Sequence, residues 1–156
     1  MERATFAAGP FERVEQAFRR IEGVQQTMVG YAGGWAPDPS YFDVCTGTTG
    51  HAEVVEIYLN PGLVSYEQVL NVFWDSHDPT SFNRQGSDVG SQYRSAIFFH
   101  SLEQEATARA SKERLQRSGR FTRPIVTEIV PATRFYRAEE YRQHHIMRQG
   151  DAVSRR

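Results

Sequence analysis

The sequence predicts an α/β fold, a two-layer plait in which helices pack on a sheet. Three observations predict it. β-branched runs such as Glu53 to Leu59 (EVVEIYL) alternate with period two, and Phe11, Val14, Phe18 and Ile21 recur at helical spacing. The elements also follow one another as β-α-β, β-α-β and α-β, an order that suits a mixed sheet with flanking helices. A chain of 156 residues is read as one domain over 1–156, large enough to bury roughly two thirds of its surface, with a flexible tail from about 149 to 156.

Taken in order, Arg3 to Ala8 (RATFAA) is a short apolar run closed by Gly9 and Pro10, so it reads as a buried first strand. The helix after it stops at Gly23. Val24 to Tyr31 (VQQTMVGY) is a second strand, and Trp35 to Ser40 (WAPDPS) is a proline-broken loop. After the EVVEIYL strand, Ser65 with Gln68 forms a capping box ahead of Tyr66, Val69, Leu70, Phe73 and Trp74, a core-facing helix. Gln92 to His100 (QYRSAIFFH) is a fourth strand, and Ser101 with Gln104 is a second capping box. The helix it opens runs to Ser118, and Ile125 to Val130 (IVTEIV) is a fifth strand. Phe135, Tyr136 and the segment Ala138 to Met147 close the domain.

Composition removes several function classes. A net charge of -1 argues against a nucleic-acid partner or an anionic membrane surface. No apolar run is long enough to span a bilayer, and the start lacks the pattern of a signal peptide, so a cytoplasmic location is expected. The single cysteine, Cys45, excludes an internal disulfide and any cysteine-rich metal site. Flanked by Val44 and Thr46, it reads as a small buried hydrophobe. No second His or Cys stands at metal-ligand spacing from His77, and the adjacent His144 and His145 diverge on a helix, so neither a metal nor a cofactor is expected. A small-molecule substrate is the expected partner, and the oligomeric state is left open.

One stretch carries more chemistry than a chain reversal needs. Val44 to Glu56 (VCTGTTGHAEVVE) holds Thr46, Gly47, Thr48, Thr49, Gly50 and His51 ahead of a strand, and delivers Glu53 at the junction. Gly50 and His51 are therefore candidate substrate contacts. A second polar loop, Asn83 to Ser95 (NRQGSDVGSQYRS), likewise ends in a strand.

Together with GYAGG at Gly30 to Gly34, PSYFDVCTGTTGHAE from Pro39, FWDSHDPTSFNRQGSDVGSQYRSAIF from Phe73 and FYRAEEYRQ from Phe135, these loops resemble the peptide methionine sulfoxide reductase A family. The resemblance runs from about Ala4 to Gln143 and implies that family's ferredoxin-like plait. It implies site roles as well. Glu53 matches the acid that protonates the departing oxygen, while Asp88, Tyr93 and Tyr41 match the residues that hold it. In the family the first strand-to-helix turn reads Gly-Cys-Phe-Trp-Gly and its cysteine attacks the sulfoxide sulfur. Here the turn is Gly9, Pro10, Phe11, Glu12, Arg13, so Pro10 stands at the nucleophile's position. The resemblance also implies that Phe11 seats the substrate methyl, with Glu12 in place of the Trp ring. Arg13, Trp35 and Arg142, the last where the family commonly has a histidine, would set the outer wall.

Proline at a first helical position keeps the helix, since that N–H has no intrahelical partner. This leads to the expectation of a divergent member without the nucleophilic Cys. Its first form is a repurposed non-redox enzyme, with acid/base chemistry on a small metabolite at Glu53, aided by Tyr41, Tyr93 and Asp88 and with Glu12 as a new base. A sulfoxide-binding pseudoenzyme, a reductase that uses Cys45, and a decayed copy kept for partner binding follow. For Glu12 and Arg13 two readings stay open: a paired set in the pocket, or two solvated residues on a helix.

Overall fold

The strand at the middle of the sheet is the first one. The computed structural model describes residues 1–144, so the tail expected from about 149 lies outside them. In chain order the strands are β1 (Glu2–Ala8), β2 (Val24–Ala32), β3 (Ala52–Leu59), β4 (Arg84–Gln85), β5 (Asp88–Val89), β6 (Ser95–Phe99), β7 (Glu128–Pro131) and β8 (Tyr136–Arg137). The helices are α1 (Phe11–Arg19), α2 (Tyr41–Cys45), α3 (Tyr66–Asp75) and α4 (Leu102–Arg117). Six strands form one sheet in the order β7-β6-β1-β3-β2-β8, and β4 pairs with β5 in a separate hairpin. The expected α/β plait with a mixed sheet is what forms. The parallel pair is β6 with β7, and α4 supplies the crossover that a parallel pair needs.

The two faces of the sheet are packed unequally. Phe6 on β1 is fully buried beneath α1 and α3, its ring 5.2 Å from Phe18, 5.9 Å from Tyr66 and 5.2 Å from Phe73. Val14, Val55, Ile57, Leu59, Val69 and Leu70 complete this main core. The opposite face carries a smaller cluster of Ala7, Ala32, Ala52, Val54, Ala96 and Phe98.

Three expectations need correction. Ser40 and Asp43 form an unforeseen capping box that starts the one-turn helix α2 straight after the proline loop. The fourth strand starts at Ser95, because Ser91–Tyr93 is a 3-10 turn, and the fifth starts at Glu128. Cys45, expected to be buried, is exposed. Neighbours on a helix point in different directions, so buried Val44 says nothing of the next side chain.

Among the described residues, no helix is long and apolar enough to cross a membrane. Because three aromatic rings close on Phe6, Phe6→Ala is expected to cost about 3–5 kcal/mol of stability. Urea denaturation with an unchanged m-value measures it, and a loss under about 1 kcal/mol would contradict this placement of the core.

Candidate active site

Alternation along β3 puts Glu53 on the same face as Val55, Ile57 and Leu59, beneath the helices. Glu53 is 1% exposed, and it meets the start of α1, where backbone N–H groups have no intrahelical partner. Pro10 has no N–H to offer, so the amide that reaches the carboxylate is that of Phe11, 3.2 Å from Glu53 Oε1. Glu53 Oε2 is buried with no hydrogen-bond partner among the described residues. Burial pushes this carboxyl up to about 8; the Phe11 N–H lowers it, and the Glu12 carboxylate raises it again. Glu53 is therefore mostly protonated at neutral pH, a proton donor aimed from the core.

The turn that brings β1 into α1 depends on Gly9, whose φ is +97°, with Gln85 so close that a Cβ would sit 2.9 Å from its Cγ. On the other side of Glu53 lies α2. Tyr41 and Cys45 stand one turn apart on it, so their side chains share one side of the helix. Burial raises the Tyr41 phenol above its usual range, and Cys45 and Glu53 add to the effect. Tyr93 is raised as well, by burial first and then by Glu53, Cys45 and Asp88. Both phenols therefore keep their protons, and both lie within electrostatic reach of Glu53 and Cys45.

The remaining charges are paired. Glu12 accepts from Arg142 Nη1 at 3.2 Å, with side chains 21% and 19% exposed. The Arg142 guanidinium carbon lies 3.3 Å from the centroid of the Tyr41 ring. Arg13 reaches the other way, to Asp88 at 3.2 Å, in a more exposed pair. Of the two readings of Glu12 and Arg13, the structure shows each paired, but neither with the other. Phe11 is fully buried, 5.7 Å from the Tyr31 ring and 6.5 Å from the Tyr41 ring.

Three sequence-derived candidates hold the loops. His51 Nδ1 accepts from the Gly34 N–H at 3.0 Å and its Nε2 is 2.7 Å from the Ala36 carbonyl, so both ring nitrogens are committed. Gly50 accepts from Arg94 at 3.0 Å. Trp35 is 75% exposed and donates to the Thr48 carbonyl at 2.9 Å. Sequence reasoning missed Glu139, which accepts from the Tyr31 hydroxyl at 3.0 Å and from the Tyr41 N–H at 3.2 Å. It also missed Gln143, whose amide bonds both backbone groups of Val29 at 2.8 Å and so sets the place of Arg142 beside it. The FYRAEEYRQ segment contained both, but nothing in its pattern marks which polar residue turns inward. Among the described residues, no group of three or more His, Cys, Asp or Glu is placed to hold a metal ion.

Residues 2–155 match the peptide methionine sulfoxide reductase family. The chain belongs to this family. It is 57% identical over 155 residues to peptide methionine sulfoxide reductase MsrA of Geobacter sulfurreducens, covering 99% of this chain and 96% of that one. The protein of the same name from Methanoculleus marisnigri is 58% identical over 155 residues, covering 99% and 94%. Among solved structures, reduced Mxr1 from Saccharomyces cerevisiae aligns with a TM-score of 0.89 at 34% identity, over 96% of this chain and 86% of that one. Methionine sulfoxide reductase A of Corynebacterium diphtheriae aligns with a TM-score of 0.86 at 34% identity, over 96% and 75%.

These relatives overturn the expectation of a divergent member without the nucleophilic Cys, and with it the repurposed acid/base enzyme and the pseudoenzyme. Identity this high over nearly the whole length, to reductases, supports reductase chemistry instead. Pro10 argues for a chain without sulfur chemistry only if Cys45 is buried filler. It is not: the thiol is exposed, one helical turn from Tyr41.

The buried Glu53 gives a prediction. Its folded value of about 8 lies above the ordinary value of 4.5, so its contribution to stability is complete below about pH 4.5 and is lost as pH rises through about 8. Glu53→Gln cannot ionise and should escape that loss. Its melting temperature relative to the parent is therefore expected to rise across this window, and a constant difference would contradict a neutral Glu53.

Proposed function

We propose that this member of the reductase family converts methionine sulfoxide to methionine, with Cys45 as its thiol. What supports the reading most directly is that Cys45 stands one helical turn from Tyr41 and that the Tyr41 and Tyr93 phenols are each within electrostatic reach of both Cys45 and Glu53. The sulfoxide oxygen, the most basic atom of the substrate, accepts from the phenols and from Glu53 Oε2, whose proton has no other acceptor among the described residues. With its oxygen so held, the sulfur becomes electrophilic and lies open to Cys45 Sγ. Asp88 stands within electrostatic reach of both Glu53 and Tyr93 and helps keep both protonated.

The electron balance is simple. Cys45 Sγ gives an electron pair to the sulfoxide sulfur and forms an S–S bond, the protons of Glu53 and of the thiol pass to the oxygen, and the S–O bond breaks as water leaves. Water then attacks Cys45 Sγ, the S–S bond breaks with its electron pair going to methionine, and the proton released returns to Glu53. Oxygen ends on Cys45 as a sulfenic acid, so methionine sulfur has gained two electrons and cysteine sulfur has lost two. The chain has a single cysteine, and no internal disulfide can follow. Two equivalents of an external thiol are required: they return Cys45 to the thiol, become a disulfide and release water.

Incubation with methionine sulfoxide and dithiothreitol should yield methionine, and Cys45→Ala should abolish it. The rate should fall as pH rises through about 8, where Glu53 gives up its proton. A parent protein that forms no methionine, or a Cys45→Ala variant that still forms it, would remove this reading.

A further inference from the structure

We infer that this site selects a sulfoxide carrying its own charges close to sulfur, the zwitterionic free amino acid, ahead of the same sulfoxide inside a neutral peptide. The inference rests on the reductase reading for what happens to the ligand, and on the walls of the site for which ligand it is. Around Glu53 stand the Glu12–Arg142 and Arg13–Asp88 ion pairs and the Tyr41 and Tyr93 phenols. Phe11, whose backbone N–H meets Glu53, is fully buried, and one face of the Tyr41 ring is covered by the Arg142 guanidinium 3.3 Å from its centroid.

Glu12 and Arg13 are successive residues on the first turn of α1 and project to different sides of it. Glu12 meets Arg142 in the 3-10 turn Glu140–Arg142, and Arg13 meets Asp88 on β5. Two ion pairs thus flank the start of the helix above Glu53. Glu12, Arg142 and Asp88 all act electrostatically on that carboxyl, so they belong to the same small region.

Only two methylenes separate methionine sulfur from its α-carbon. With the sulfoxide oxygen at Glu53, the α-substituents therefore come to the rim, where Arg13 and Asp88 remain 62% and 38% exposed. A free amino acid brings a carboxylate that accepts from Arg13 and an ammonium that donates to Asp88. Four alternating charges then attract one another through charge-assisted hydrogen bonds. A peptide brings two neutral amides to the same place. They must strip water from both ion partners and return no charge, which is the less favourable exchange.

The test separates binding from turnover. The full chain carrying Cys45→Ser, which cannot reduce a sulfoxide, is titrated by calorimetry with L-methionine sulfoxide and with its N-acetyl N-methylamide. The free amino acid should bind about tenfold more tightly or better, the size expected of a charge-assisted contact. Adding Arg13→Gln should bring that ratio close to one. In the chain with Arg13 intact, tenfold higher ionic strength should weaken the free amino acid and leave the amide unaffected. Equal or tighter binding of the amide, an equal loss of both ligands in the Arg13→Gln chain, or binding of neither overturns the inference. Selective binding by a chain whose parent forms no methionine supports the charge preference and sinks only the reductase reading.

Discussion

A carboxyl buried at the first residues of a central strand is the constraint on which this site depends. Glu53 cannot ionise cheaply where it lies, since among the described residues only one backbone N–H reaches it and its second oxygen has no partner. The fold holds it there by ordinary means. Strand alternation points it toward the helices, and the positive φ of Gly9 tips α1 so that the Phe11 amide meets Oε1. Neutral Glu53 and the two protonated phenols make the site rich in groups that donate to an oxygen, which is the chemistry a leaving sulfoxide oxygen needs.

Around that neutral centre the charges are arranged in compensating pairs. Glu12 raises the affinity of Glu53 for its proton and Arg142 lowers it, so the pair acts on Glu53 as a partly cancelling dipole. Arg142 is held by more than its partner. Gln143 locks the segment against Val29, and Glu139 ties the same stretch to Tyr31 and to the Tyr41 backbone. Glu139 stays below its usual range despite partial burial, because those donors outweigh the desolvation. The consequence is that Tyr41 is fixed from two sides: Arg142 on its ring and Glu139 on its amide.

The sequence made the architecture legible and the thiol illegible, for physical reasons. Period-two runs report burial on a sheet face, so β1, β2, β3 and the Glu53 face could be read directly. Ser65 and Gln68 form the expected reciprocal cap. At Ser101 the cap is only half as expected: Gln104 gives its N–H to Ser101, but its side chain turns to the His100 amide and to Glu2. A five-residue helix shows no full period, so α2 was invisible, and with it the exposure of Cys45. Glu12 and Arg13 were legible as a changed turn, but their partners lie 130 and 75 positions away in the chain and no local pattern encodes them.

Pro10 weighs on this last point. Its substitution is consistent with the helix at every level: its φ of -54° suits entry to α1, and its carbonyl accepts from the Arg13 and Val14 amides at 3.2 and 3.3 Å. The turn therefore keeps its geometry and directs the Phe11 N–H to Glu53 with no competing amide from residue 10. In the proposed reading the thiol is that of Cys45 on α2, the single cysteine of the chain. Glu53 is held by the Phe11 amide, and the ion pairs join Glu12 to Arg142 and Arg13 to Asp88, none of them through the side chain of residue 10.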